Sequence, residues 1–286
     1  MSTTNLAEHT REGMRNVARC TVPAVRTIAR LGYTARGCVY CLIGLLAGMA
    51  AVGAAGGEVT DTRGVLETIV IHPFGRALLA VISIGFFAFA LWLFVLAIED
   101  PDDRGRNWRG LIARSGSFIG GLGYLSLLIT SIHIIVGNHV SSGEHAARNW
   151  SAWAMAWPLG RLALAVVGVI IIIVGFVNMW SAIRRDIGRL LDRQRLAGRA
   201  RTAAVMVGRV GIAARGVVFC LIGSFLALAA WHSDPREARG LAGALHYVER
   251  QPYGPWLLAL VAAGFVAYGA FELIEARYRR VEPSLS

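Results

Sequence analysis

Six stretches of almost unbroken apolar residues divide the chain. They are Gly37–Ala55, Ala77–Ile98, Ser117–Gly137, Leu159–Trp180, Gly216–Trp231 and Pro255–Ile274. Polar and arginine-bearing connections separate them. About 20 apolar residues cross a bilayer core, and most of these runs approach that length. The pattern therefore predicts an all-α membrane protein with six spanning helices. A mean hydropathy of +0.53, with 55% hydrophobic and only 16% charged residues, argues against a water-soluble helical bundle. Residues 1–29 carry Arg11, Arg15, Arg19 and Arg26 but no apolar stretch, so they do not read as a secretory signal.

The runs belong to a repeat. Arg30 to Gly44 reads RLGYTARGCVYCLIG, and Arg209 to Gly223 reads RVGIAARGVVFCLIG, with ten of fifteen positions identical. The same offset carries Gly64 onto Gly243, Pro73 onto Pro252, Gly75 onto Gly254 and Gly85 onto Gly264. A weaker copy starts at Arg114. Each copy holds two spans, so every copy enters the membrane in the same orientation. Parallel repeats of this kind are related by rotation about the membrane normal. The expectation is three parallel two-helix repeats with pseudo-threefold symmetry. The chain divides into a basic N-terminal segment (1–29), repeats at 30–105, 114–185 and 209–280, a basic connection (186–208) and a tail (281–286).

Charge sets the expected orientation. All 29 basic residues are Arg. Sorted by the six spans, 22 of them fall in the N-terminus, the second and fourth connections and the C-terminus, and 7 fall in the other three connections. The acidic residues split 11 and 7. The positive-inside rule then puts both termini in the cytoplasm of a cell whose plasma (inner) membrane holds the protein. The net charge of +11 is a topology signal and a source of contact with anionic lipids at the cytoplasmic face. Nucleic-acid binding is not expected, because no connection is long enough to form an Arg-rich domain outside the membrane. Ile183–Arg201 reads as an amphipathic helix lying on that face.

Three short segments occupy matching places on the opposite side: Asp61–Ile71, Ala147–Trp157 and Leu241–Arg250. Each ends at a Pro-x-Gly (Pro73/Gly75, Pro158/Gly160, Pro252/Gly254). They read as surface helices turning at the proline into the second span. Trp150, Trp153, Trp157, Trp231 and Trp256 suit that interface. The pattern R-x-G-x-x-A-R-G-x-V-aromatic, then G-x-L and P-x-G before a second span, resembles the bacterial membrane family called domain of unknown function 1206. The likeness covers about residues 30 to 280. It is strong in the first and third copies and weaker in the middle one, which has Gly120 in place of the second Arg. The resemblance implies three tandem two-helix transmembrane repeats and no particular activity.

Two sets of positions stand out. Gly37, Cys41 and Gly44, matched by Gly216, Cys220 and Gly223, form stripes of small residues at helical spacing. Such stripes let membrane helices approach closely. Arg36 and Arg215 are equivalent and sit at the cytoplasmic ends of their spans. Each is four residues from an aromatic, Tyr40 or Phe219, a spacing that permits a cation–π contact. With Glu99 and Glu272 they are the candidates for an anion-binding or gating cluster. Glu275 is a further acid at the same depth.

Other chemistry is thinly represented. His133, His139 and His145 are six apart, which is not metal-ligand spacing. Cys38 and Cys41 form a CxxC inside a span, and the third copy keeps only Cys220, so the thiols read as packing groups. No cofactor, metal site or enzymatic motif is expected. Asn178 reads as an interhelical hydrogen-bonding residue. The leading expectation is a structural or accessory membrane component, associating with other membrane proteins or with itself. The alternative is a small transporter or channel with a path along the pseudo-threefold axis.

Overall fold

The computed structural model describes residues 3–54, 56–98, 108–138, 143–184, 196 and 198–278, with side chains described from Thr27 onward and not at Trp108 and Arg109. The elements are α1 (Thr3–Ala51), α2 (Thr62–Ile71), α3 (Gly75–Ile98), α4 (Trp108–Val136), α5 (Gly143–Met155), α6 (Gly160–Arg184), α7 (Gly198–His232), a 3-10 turn (Pro235–Glu237), α8 (Leu241–Glu249) and α9 (Gly254–Tyr278). Among the described residues six helices are long and apolar enough to cross a membrane: Thr27–Ala51, α3, Gly110–Val136, α6, α7 and α9. The first and fifth spans begin before the apolar runs do. Arg30 and Arg36 lie inside α1, and Arg209 and Arg215 inside α7. Nothing breaks the helix at those arginines, whose long stems can lie along apolar surface. The expected amphipathic helix over Ile183–Arg201 falls mostly outside the described residues.

The short helices α2, α5 and α8 cover one end of the bundle, here called the capped side. Asp61 starts α2 by accepting hydrogen bonds from the backbone N–H of Arg63 and Gly64, each at 3.0 Å. This satisfies two of the donors that a helix start leaves unpaired. The turns into the second spans do not place proline in the helix. Gly75 N–H bonds to the His72 carbonyl at 2.8 Å, and Gly254 N–H to that of Gln251 at 2.7 Å. Phe74 and Tyr253 between them take φ values of 64° and 63°. Proline second and a left-handed residue third are the features of a type II turn. The closing glycine is required by space, since a Cβ at Gly75 would come within 1.9 Å of the Ile69 carbonyl oxygen.

The spans pack mainly between repeats. The first helix of one repeat lies on the second helix of the preceding one: α4 on α3, α7 on α6, and α1 on α9. The small-residue stripes make two of these contacts. A Cβ at Gly37 or Gly44 would meet the backbone oxygens of Gly269 and Ala262 at 2.9 and 2.7 Å. At Gly216 and Gly223 it would meet those of Gly175 and Gly168 at 2.8 and 2.6 Å. Cys41 and Cys220 point their thiols at the carbonyls of Val266 and Ile172, 3.9 and 3.7 Å away. Within repeats, α1 packs on α3 and α7 on α9, while α4 and α6 make at most marginal contact.

On the capped side the largest part of the interior is one apolar cluster, and a smaller one of Leu164, Ala229, Ala230 and Ala238 lies beside it. The larger includes Val39, Ile43 and Ala47 of α1, Val65 and Leu66 of α2, Phe86 of α3, Ile134 of α4, Val218 of α7, Leu245 of α8 and Leu258 and Phe265 of α9. Seven helices therefore contribute to one continuous packed region.

Candidate functional site

Below that apolar region, toward the Arg-rich side, the interior becomes charged. Arg36 is carried by α1 and Glu272 by α9, and the close α1–α9 packing brings them together. Arg36 Nη1 lies 3.3 Å from Glu272 Oε1, with side chains 12% and 3% exposed. Arg36 Nη2 also donates to the Tyr268 hydroxyl, one turn before Glu272. The same hydroxyl accepts from Arg215 Nη1 at 2.9 Å. One phenol oxygen on α9 thus joins the arginines of two repeats, which its two lone pairs allow.

Aromatic rings complete the setting. The Arg36 guanidinium lies 5.1 Å from the Phe89 ring centroid, 5.2 Å from Tyr268, 5.8 Å from Tyr40 and 6.0 Å from Tyr124. Arg215 lies 4.7 Å from Phe219 and 5.2 Å from Tyr268. Tyr40 and Tyr268 meet edge to face at 4.8 Å. Ring faces are negative, so they offset part of the cost of removing a guanidinium from water. The i, i+4 pairs Arg36/Tyr40 and Arg215/Phe219 meet as their spacing predicts.

The charge count in this cluster is uneven. Among the described residues Arg36 pairs with Glu272, whereas no carboxylate lies within ion-pair distance of Arg215. The sequence groups both arginines with Glu99 and Glu272; the structure gives Glu272 to Arg36 and a phenol to Arg215. The reason is register: Glu272 is on the face of α9 that packs on α1, and Gly211 of α7 meets α9 higher, at the Tyr268 backbone. Within the cluster, three buried polar atoms keep no protein partner: Arg36 Nε, Arg215 Nε and Glu272 Oε2. Glu275 is buried near the same end of α9. Glu99 lies outside the described residues.

Tyr268 is the residue that sequence reasoning missed. A signal existed, because the repeat offset places it opposite Phe89 and therefore adds one hydroxyl to an otherwise apolar position. The small-residue stripes Gly37, Cys41, Gly44 and Gly216, Cys220, Gly223 lie in the α1–α9 and α6–α7 contacts, starting beside Arg36 and Arg215 and running toward the capped side. Two of the outer histidines engage local acids: His232 Nδ1 is 2.8 Å from Glu237 and His246 Nδ1 is 3.0 Å from Glu249. Among the described residues no group of three or more His, Cys, Asp or Glu side chains gathers as a metal site would. A surface groove of about 480 Å³ on the Arg-rich side is lined by Arg30, Thr34, Leu273, Ala276, Arg277 and Tyr278. The charged cluster does not line it.

Comparison with known proteins agrees with the repeat reading. The chain is 31% identical over 268 residues to "Uncharacterized protein YxxB" of Bacillus subtilis (strain 168), covering 94% of this chain and 96% of that protein. No solved structure matches. The family described as Domain of Unknown Function (DUF1206) matches three times, at residues 31–100, 115–185 and 210–279. With three matching repeats, six helices able to cross a membrane and a full-length relative, the chain is an integral membrane protein that belongs to the DUF1206 family.

Proposed function

We propose that the chain is a non-conducting accessory component of the plasma membrane, built as a pseudo-threefold ring of three parallel repeats with both termini in the cytoplasm. The observation that carries this reading is the apolar cluster on the capped side. It takes residues from seven helices and fills the interior above the arginines with Ile43, Phe86, Leu258 and Phe265. A water path along the axis needs polar groups or space there. Packing of each first helix on the preceding repeat's second helix, with α1 returning to α9, supports the ring. The Arg distribution supports the orientation.

The charged cluster acts in this account as an internal clamp. Arg36, Glu272, Tyr268 and Arg215 tie α1, α7 and α9 together at a depth where each partner would be costly alone. Partners, other membrane proteins or further copies, would bind the lipid-facing apolar surface. A second reading, a conduit for small anions, draws on the same cluster, because intramembrane charge is by default functional. Proteoliposome flux separates the two. The purified chain is expected to give no flux above empty vesicles for chloride, phosphate, small carboxylates or cations. Saturable anion flux abolished by Arg215→Ala would replace the accessory reading with transport.

A further inference from the structure

The middle repeat is built differently from its neighbours, and the difference opens a cleft toward lipid. In repeat one, Gly85 of α3 passes Ala35 of α1 so closely that a Cβ on Gly85 would lie 2.2 Å from the alanine Cβ. Repeat three has the same contact between Gly264 and Ala214, also 2.2 Å. Aligned through Arg114 and Gly160, the corresponding pair in the middle repeat is Ile119 on α4 and Ile170 on α6. Two branched side chains cannot occupy a glycine–alanine crossing. The consequence is visible: Ile119 and Ile170 are 67% and 52% exposed. Gly32 and Gly211 would meet the Phe89 and Tyr268 backbone at 2.6 and 2.4 Å, whereas their counterpart Gly116 has nothing within 4 Å. Gly123 is equally open, and Gly120 has only Leu93 near it.

Arg215 stands at the inner wall of this cleft. On α7, Gly216 meets α6 and Gly211 meets α9. Arg215 lies between those contacts, on the side away from the exposed Met206, Val210 and Val217, and so points into the bundle interior. The third arginine that would have faced it is Gly120. Arg215 has no acid among the described residues and an Nε without a protein partner. It is 17 residues from the His232 end of α7, about 25 Å at the helical rise, which lies inside a hydrocarbon core of about 30 Å but near its Arg-rich edge, within reach of that leaflet's headgroups for a long side chain.

We infer that the α4–α6 cleft holds one anionic phospholipid, with an acyl chain along Gly116, Ile119, Gly123 and Ile170 and its phosphate at Arg215. An apolar slot open to the bilayer selects a lipid over a soluble anion. An uncompensated guanidinium near the Arg-rich edge of the hydrocarbon core selects negative charge. The site is independent of whether the chain conducts.

The test is native mass spectrometry of the detergent-purified protein titrated with phosphatidylglycerol or phosphatidylcholine, and separately with inorganic phosphate. One phosphatidylglycerol should be retained in preference to phosphatidylcholine, and Arg215→Gln should weaken that preference at least about fivefold. Arg209→Gln, at an exposed arginine, should not. The double variant Ile119→Ala/Ile170→Gly restores the close crossing of the other repeats. It should expel the lipid while Arg215 is intact, which separates cleft closure from any misfolding of an Arg215 variant. Equal retention of both lipids, retention by the closed-cleft variant, or displacement of the lipid by inorganic phosphate would each overturn the inference.

Discussion

The Arg36–Glu272 pair is the contact whose removal tests the clamp most severely. Two unit charges 3.3 Å apart attract by about 5 kcal/mol at an effective dielectric constant of about 20. Desolvation of both groups offsets much of that, so the pair is worth far less than the gross figure relative to two apolar residues. Removing one partner is a different matter. Glu272→Ala leaves Arg36 with the Tyr268 hydroxyl and four aromatic rings but no counter-charge. Arg36→Ala leaves Glu272, 3% exposed, without its cation. Each single change should cost about 3–5 kcal/mol, and Arg36→Ala more than Glu272→Ala, because it also removes the cation–π contacts and the bond to Tyr268. The double variant should cost less than the sum by about 2–4 kcal/mol. Unfolding in mixed detergent micelles, followed by tryptophan fluorescence on all four proteins, measures the cycle. A coupling energy within error of zero would refute the clamp and leave the two groups as independent interfacial anchors.

Tyr268→Phe keeps the ring stacking but removes the hydroxyl shared by Arg36 and Arg215; a loss of about 1.5–3 kcal/mol in the same unfolding assay is expected, and no loss would show that the bridge contributes nothing. Gly44→Leu and Gly223→Leu push a Cβ to within 2.7 and 2.6 Å of a facing backbone oxygen, so thermal stability in detergent should fall by at least about 1–3 kcal/mol, whereas Leu45→Ala, at an exposed position, should be close to neutral. Asp61→Ala removes the cap of α2 and should cost about 1 kcal/mol, read as faster proteolysis on the capped side. Reporter fusions after Arg104 and Arg195 should sit in the cytoplasm and one after Ser142 outside; a cytoplasmic signal at Ser142 would reverse the orientation.

Some of this structure was legible from the residues and some was not, for physical reasons. The spans were readable because a bilayer demands length and apolarity and little else. The repeats were readable because Arg30–Gly44 and Arg209–Gly223 preserve identity as well as pattern. The small-residue stripes announced close packing but not the partner. Gly44 meets Ala262, and only the fold brings the first span beside the last. The Arg36–Glu272 pair followed from matched depth, whereas Arg215 received Tyr268 because register along α9 decides which group faces which arginine. The middle cleft was written in Ile119 and Ile170, yet two isoleucines in a membrane span carry no signal until set beside Ala35 and Gly85.

The central claim is that the interior on the capped side is closed by packing. Ile43, fully buried in α1, is its most direct reporter. In a background with the four native cysteines replaced by alanine or serine, Ile43→Cys should resist a charged, membrane-impermeant thiol reagent applied from either side of sealed vesicles, while Val52→Cys at the exposed end of the same span reacts from one side. Modification of Cys introduced at Ile43 from both sides, at a rate comparable with Val52→Cys, would mean a continuous water path and would contradict the account.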